Sequence, residues 1–101
     1  MHSEFRTLET AIEFSRVCDK LAIARHLKDQ LLRSSSSVAL NLAEGSAKES
    51  RADRYRSYRV ALGSFREAET ILKIVGFKLP GLKELTKKLA GQLTNLCKSQ
   101  Y

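Results

Sequence analysis

Apolar residues recur along most of the chain at the three- and four-residue spacing of an α-helix. This pattern predicts four helices, which cover about residues 3–20, 26–47, 50–75 and 82–98. The segment 76–81 reads Gly-Phe-Lys-Leu-Pro-Gly, and its glycines and proline predict a loop between the last two helices. No glycine or proline separates the first two helices, so the pattern leaves that boundary open. The chain is therefore predicted to be all-α.

The third and fourth predicted helices carry stripes typical of a helical bundle. The fourth has a narrow stripe of Leu82, Leu85, Leu89, Leu93 and Leu96, with Lys83, Lys87 and Lys98 to one side. The third has a bulky stripe of Tyr55, Tyr58, Leu62, Phe65 and Leu72 beside a small stripe of Ser57, Ala61, Ser64 and Ala68. Small side chains at this spacing allow a neighbouring helix to come close.

The first predicted helix has two apolar stripes on different faces. One contains Phe5, Leu8 and Ile12, and the other contains Phe14, Cys18 and Leu21 with Ala11. Because a helix of a monomeric bundle needs only one apolar face, the surplus on the first and third helices favours self-association. The alternative is that central helices bury a wide arc within one chain.

The second predicted helix contains four consecutive serines, which alone would be typical of a linker. The run is flanked in helical phase by Leu31 and Val38, and no glycine or proline interrupts the pattern before Gly45. We therefore interpret it as helix interior, in which Ser34 and Ser35 fall on the buried side and let a neighbouring helix approach.

Bulk composition narrows the class of protein. The 101 residues suit one domain, and 43% hydrophobic with 29% charged residues is typical of a globular chain. The two cysteines form no Cys-x-x-Cys motif and no cluster with histidine, which indicates neither a zinc site nor a disulfide framework. No signal peptide, membrane-spanning run or lipidation motif is recognised, so a cytoplasmic protein without membrane contact is expected.

Sequence motifs of common enzymes and cofactor sites are missing. The sequence has no phosphate-binding glycine loop, no dinucleotide fingerprint and no Glu-x-x-His pair. Cys18 and Cys97 fall on or beside apolar stripes, which favours buried thiols over nucleophiles. Glu44, Glu67 and Glu69 are conceivable paired carboxylates, but surface or ion-pair roles are favoured without a pocket. We expect a non-enzymatic protein that uses no cofactor or metal.

Basic residues outnumber acidic ones by seven, and most of the excess lies in the second half of the chain. The candidate nucleic-acid-binding residues, all on the third predicted helix, are Arg51, Arg54, Arg56, Arg59, Arg66 and Lys73. The last three are seven residues apart and share one stripe, which suits contacts with RNA or DNA phosphates, and Tyr55 and Tyr58 lie nearby for base stacking. The alternative is a solvated face with core tyrosines, since Glu67 and Glu69 are close.

Two motifs in the middle of the chain resemble a known family. The first follows the serine run and reads Asn41-Leu42-Ala43-Glu44-Gly45-Ser46. The second is Ala61-Leu62-Gly63-Ser64, followed by Glu67 and Glu69. With these motifs, the chain resembles over nearly its whole length the proteins encoded in intervening sequences of large-subunit ribosomal RNA, also called the S23 ribosomal protein family.

The resemblance implies an antiparallel up-down four-helix bundle that assembles as a homopentamer. It also implies similarity to the accessory proteins of diversity-generating retroelements, which are basic pentamers that act with a reverse transcriptase and nucleic acid. It does not imply a constitutive ribosomal subunit, and the molecular function of the family is not established in general. Two functions therefore stay open: a basic oligomeric module that binds RNA or DNA, and a structural scaffold with a protein partner.

The motif residues also suggest a hydrogen-bond network. Asn41 falls on the predicted buried stripe of the second helix, and a buried amide needs partners. We hypothesise an interhelical or intersubunit network of Asn41, Glu44, Arg59, Ser64 and Glu67 that sets helix register more than it adds stability. A ligand site at these residues is the alternative.

Overall fold

The structure is a computed structural model that describes residues 2–100, with side chains from Ser3 onward. Its four helices are α1 (His2–Asp19), α2 (Arg25–Ser46), α3 (Arg51–Val75) and α4 (Leu82–Gln100). This part of the chain contains no β-strand, and none of its helices is long and apolar enough to cross a membrane. The predicted all-α class and the number of helices are confirmed.

The helix ends follow from local sequence. Ser50 caps α3, because its Oγ accepts a hydrogen bond from the backbone N–H of Asp53 at 3.1 Å. Gly76 ends α3 with a φ of 83°, a left-handed conformation that glycine adopts without strain. The boundary that the sequence left open lies at residues 20–24, where the Lys28 ammonium donates to the backbone carbonyl of Leu21.

Each helix contacts its neighbours along the chain, and α4 contacts α1 to close the arrangement. Ser37 of α2 meets Ser64 of α3, whereas Gly45, two turns later in α2, meets Tyr58, which precedes Ser64. These two helices therefore run in opposite directions. Short connections join all consecutive helices, as an up-and-down arrangement requires.

The core lies between the four helices and combines aromatic with leucine side chains. Its largest fully buried apolar side chains include Tyr58, Phe14, Phe65, Leu31, Leu72, Leu82, Leu89, Leu93 and Leu96. The rings of Phe14 and Phe65 meet at a centroid distance of 5.7 Å and an interplanar angle of 50°. This tilted contact joins α1 to α3 across the bundle, although their backbones are not in direct contact.

The two apolar stripes predicted on the first helix have different environments. Ala11, Phe14 and Cys18 are fully buried, whereas Phe5 and Ile12 are 65% and 39% exposed. On α3, by contrast, most of both predicted stripes is buried within the chain. Central packing therefore accounts for the two stripes of α3. The exposed large apolar side chains of the described residues are Phe5 and Ile12 on α1, Leu40 on α2, and Val60 and Ile74 on α3.

The serine run is helix interior, as predicted. Ser34 and Ser35 are buried within α2, and the Ser34 hydroxyl donates to the backbone carbonyl of Gln30 at 2.9 Å. Because these hydroxyls bond to the preceding turn of their own helix, the serines contribute small volume without unpaired polar groups.

Candidate functional site

The predicted basic stripe lies on the exposed side of α3 that borders α4. Arg59 lines the groove between these helices, and Arg66 and Lys73 follow at intervals of seven residues on the same side. Arg66 lies 3.2 Å from the Glu69 carboxylate. Arg51, Arg59 and Lys73 form no ion pair with another residue of the range 2–100.

Three lysines of α4 extend this surface. Lys98 lines the same groove as Arg59, and helical spacing places Lys83 and Lys87 on that side of α4. None of the three forms an ion pair with another described residue. We define the basic face as Arg51, Arg59, Arg66, Lys73, Lys83, Lys87 and Lys98. The α4 lysines were not among the predicted binding residues, although their position beside the leucine stripe was a signal.

The groove between α3 and α4 has a volume of about 360 Å³. Its lining consists of Tyr55, Arg59, Leu62, Thr94, Cys97 and Lys98. The guanidinium carbon of Arg59 lies 5.9 Å from the centroid of the Tyr55 ring, within cation–π range. Burial raises the pKa of the Cys97 thiol, while the positive charge of Arg59 acts in the opposite direction. The groove thus joins an aromatic ring to two cations.

Besides Arg66, two other predicted binding residues have local partners. Arg54 is half-buried, and its guanidinium donates to the backbone carbonyls of Lys48 and Glu49 and to the side-chain oxygen of Gln100. It therefore ties the turn before α3 to the end of α4, a role that the sequence pattern did not indicate. Arg56 is exposed, but its guanidinium lies 3.0 Å from a carboxylate one turn earlier in α3.

The two motif glycines have different surroundings. Gly45 is buried, and a Cβ added there would lie 2.6 Å from a ring carbon of Tyr58 and 2.9 Å from Cβ of Ser57. Gly63 is exposed, and a Cβ added there would meet nothing within 4 Å. Gly45 therefore permits the close approach of α2 and α3, whereas Gly63 plays no such part within one chain.

A short polar network links α2 to α3. Asn41 is half-buried rather than buried, and its amide donates to the backbone carbonyl of Ser37 at 2.8 Å and to its hydroxyl at 3.0 Å. The hydroxyls of Ser37 and Ser64 lie 2.9 Å apart across the two helices. Ser37 was absent from the predicted network, because nothing distinguishes it within a run of identical residues.

The charged residues of the predicted network lie elsewhere. Glu44 faces Lys48 at 3.9 Å on the exposed side of α2, and Glu67 is exposed on α3. Arg59 lies beside Tyr55, on the side of α3 that borders α4. Within one chain, these three described residues therefore do not join Asn41, and the interhelical network consists of Asn41, Ser37 and Ser64. An intersubunit network of the five predicted residues stays a prediction.

Tyr58 belongs to the core and not to the basic face. It is 1% exposed, and its hydroxyl donates to the Glu4 carboxylate at 2.6 Å. Burial, this hydrogen bond and the negative charge of Glu4 raise the pKa of the Tyr58 hydroxyl. Of the two interpretations that the sequence left open, Tyr58 therefore follows that of a core tyrosine, and Tyr55 is the half-buried tyrosine beside the basic face.

The buried thiol of Cys18 is not activated. Burial raises its pKa to about 12, although a hydrogen bond with Ser35 and the charge of Lys28 act in the opposite direction. A thiol with such a pKa is almost wholly protonated at neutral pH, so it is a poor nucleophile. In the part of the chain that the structure describes, no group of three or more His, Cys, Asp or Glu side chains is placed to hold a metal ion.

Fold and site together define a small all-α protein of four helices with a basic face on two of them. The model of the 23S rRNA-intervening sequence protein family matches residues 5–99. The chain therefore belongs to this family, as its two motifs indicate. None of the curated proteins matches the chain.

A crystal structure shows the same fold. It is that of a protein with unknown function from the S23 ribosomal protein family of Bacteroides thetaiotaomicron. The two proteins are 21% identical, with a TM-score of 0.61, and the similarity covers 97% of this chain and 94% of that one. At this level of identity, the likeness concerns the fold alone.

Proposed function

We propose that the chain is a non-catalytic, oligomeric binding module that contacts RNA or DNA through its basic face. The observation that carries this proposal is the row of cations on adjoining sides of α3 and α4, in which only Arg66 has an ion-pair partner among the described residues. Cations gathered in this way raise the local potential and attract a polyanion. A nucleic-acid backbone supplies regularly spaced phosphates for such a row.

The proposed module is a homo-oligomer, and the family resemblance favours a pentamer. Phe5 on α1, Leu40 on α2 and Val60 on α3 are at least half exposed, and a second copy would cover such apolar side chains. Oligomerisation would also repeat the basic face in every copy. Individually weak phosphate contacts would then add up through avidity.

Reversing three charges of the basic face should weaken nucleic-acid binding on the order of 100-fold at low salt. The variant combines Lys73→Glu, Lys83→Glu and Lys87→Glu. Each lost phosphate contact removes a released counterion, so the slope of log K against log salt should become shallower by about 2 to 3 for duplex DNA. Fluorescence anisotropy with labelled duplex DNA and structured RNA over a salt series measures both quantities.

A matched control changes the net charge equally on other helices. It combines Arg16→Glu, Lys20→Glu and Arg33→Glu, all exposed residues of α1, the α1–α2 connection and α2. This variant should keep most of the affinity and the salt slope. Equal losses of affinity in the two variants would show that binding depends on the net charge of the protein and not on the basic face. If the unmodified protein bound neither nucleic acid at low salt, the scaffold with a protein partner would replace this proposal.

Replacing Asn41 by leucine should change the distribution of oligomers. The change removes the amide that bonds to Ser37 and adds apolar surface beside Leu40, which is 68% exposed. Light scattering and sedimentation at several protein concentrations measure the distribution. Asn95→Leu, at an exposed position of α4, is the control and should behave like the unmodified protein. If Asn41→Leu left both the mass and the melting temperature unchanged, Asn41 would have no part in assembly.

A further inference from the structure

We propose that the groove between α3 and α4 holds an unpaired base of a single-stranded nucleic acid, stacked on the Tyr55–Arg59 pair. This inference rests on the proposed function and assigns to one part of the basic face the recognition of a base rather than of phosphate. The geometry that suggests it is a ring and a guanidinium 5.9 Å apart at the edge of an open groove.

The lining of the groove matches a flat apolar ligand. Tyr55 and Leu62 supply apolar surface from α3, and Thr94 and Cys97 supply it from α4. Tyr55 and Leu62 are both half-buried, so each is fixed by its neighbours and still presents part of its surface to the groove. Single-strand binding proteins stack bases on aromatic rings and on arginine guanidinium planes, and both groups are present here.

The charge of the groove selects an anionic ligand. Arg59 and Lys98 flank it from opposite helices, and none of the described residues that line it is acidic. The positive charge of Arg59 also reaches Cys97, where it opposes the effect of burial on the pKa of the thiol. A nucleotide is both a flat apolar ligand and an anion, because its base is planar and apolar on its faces while its phosphates are negatively charged.

Single strands satisfy this site better than duplexes. In a duplex each base is stacked between its neighbours, so its faces are not accessible to a side chain. The volume of about 360 Å³ lies at the small end of the range for ligand sites, which suits one base but not a stacked pair of strands. The lysines at the far end of the basic face, Lys83 and Lys87, would contact phosphates of either form.

Removing the aromatic ring should weaken single-strand binding selectively. Tyr55→Leu should bind labelled oligo(U) and oligo(dT) about tenfold more weakly, whereas its affinity for a DNA duplex should stay within about twofold. Tyr55→Phe keeps the ring and should keep the single-strand affinity. Arg59→Lys keeps the charge but not the planar cation, so it should also weaken single-strand binding without a change in salt slope.

Tyrosine fluorescence gives a second measurement that does not depend on variants with altered stability. The chain has no tryptophan, and stacking of a base on Tyr55 should quench its emission. Oligo(U) or oligo(dT) should therefore quench the unmodified protein more than it quenches Tyr55→Phe, at equal saturation. Comparison of the two oligonucleotides shows whether the base belongs to RNA, to DNA or to either.

The possible failures are distinguishable. If Tyr55→Leu and Tyr55→Phe bound single strands equally well and quenching were the same in Tyr55→Phe as in the unmodified protein, the groove would not be a base site, although the basic face could still bind phosphates. If Lys73→Glu, Lys83→Glu and Lys87→Glu together left all binding unchanged, the proposed function would fail. If the unmodified protein bound no nucleic acid, both the base site and the proposed function would be overturned.

Discussion

Replacing Gly45 by alanine should lower the free energy of unfolding by about 1–3 kcal/mol, although alanine is the better helix former. The added Cβ would lie 2.6 Å from a ring carbon of Tyr58 and 2.9 Å from Cβ of Ser57. Tyr58 cannot move aside easily, because its ring is buried and its hydroxyl is bonded to Glu4 on α1. The strain therefore has to be relieved by separating α2 from α3, which opens their interface.

The same substitution at Gly63 is the natural control. Nothing lies within 4 Å of a Cβ added there, so alanine should stabilise α3 by about 0.5–1 kcal/mol through its backbone entropy. Urea denaturation of both variants at one protein concentration measures the difference, since assembly makes apparent stability depend on concentration. Equal stabilities of Gly45→Ala and Gly63→Ala would contradict the close approach of the two helices.

Much of the fold was predictable because its signals are local. Ser50 and Gly76 act through backbone groups within one turn, so the ends of α3 could be read from the sequence. Periodicity likewise identified the serine run as part of α2. The break at residues 20–24 has no such signal, because the segment contains no glycine or proline. A hydrogen bond from a lysine of the following helix to a backbone carbonyl is formed there, and this contact is not apparent from the sequence pattern.

The candidate site was predictable only in part. The seven-residue spacing of Arg59, Arg66 and Lys73 placed them correctly on one exposed side of α3. Helical phase could not show that the Arg54 guanidinium forms hydrogen bonds within the chain, because its partner Gln100 lies at the C-terminal end of the next helix. It also could not decide which of two neighbouring tyrosines faces the core, since both lie near the edge of the apolar arc and tertiary contacts determine the outcome.

The two sides of α3 pack differently because their side chains differ in size. Toward α2, Ser57 lies beside Gly45, and the two helices come close. Toward α4, the larger side chains of Tyr55 and Leu62 line an open groove. Close packing on one side therefore fixes the position of α3 against α2, while the other side has a half-buried ring and exposed cations along the groove. A binding surface on a rigid element keeps its geometry better than one on a loop.

Truncating Phe65 to alanine should have the largest effect on stability, about 3–5 kcal/mol. Its side chain is fully buried, and its ring lies 5.7 Å from that of Phe14. The change removes apolar burial, leaves a cavity at the centre of the bundle and breaks the aromatic contact between α1 and α3. Since the whole stability of a small domain is about 5–15 kcal/mol, the variant should melt far below the unmodified protein.

Two further variants keep this prediction testable if Phe65→Ala does not fold. Phe65→Leu preserves most of the volume and should cost less than about 1.5 kcal/mol, with the helical circular dichroism retained. Phe5→Ala removes the same ring from a position that is 65% exposed, so at monomer concentrations its effect should be within about 0.5 kcal/mol. Thermal denaturation at several concentrations compares the three. A loss of stability for Phe5→Ala that grows with protein concentration would place Phe5 in a contact between copies. A loss of stability for Phe65→Ala as small as that of Phe5→Ala would contradict a core built around Phe14 and Phe65.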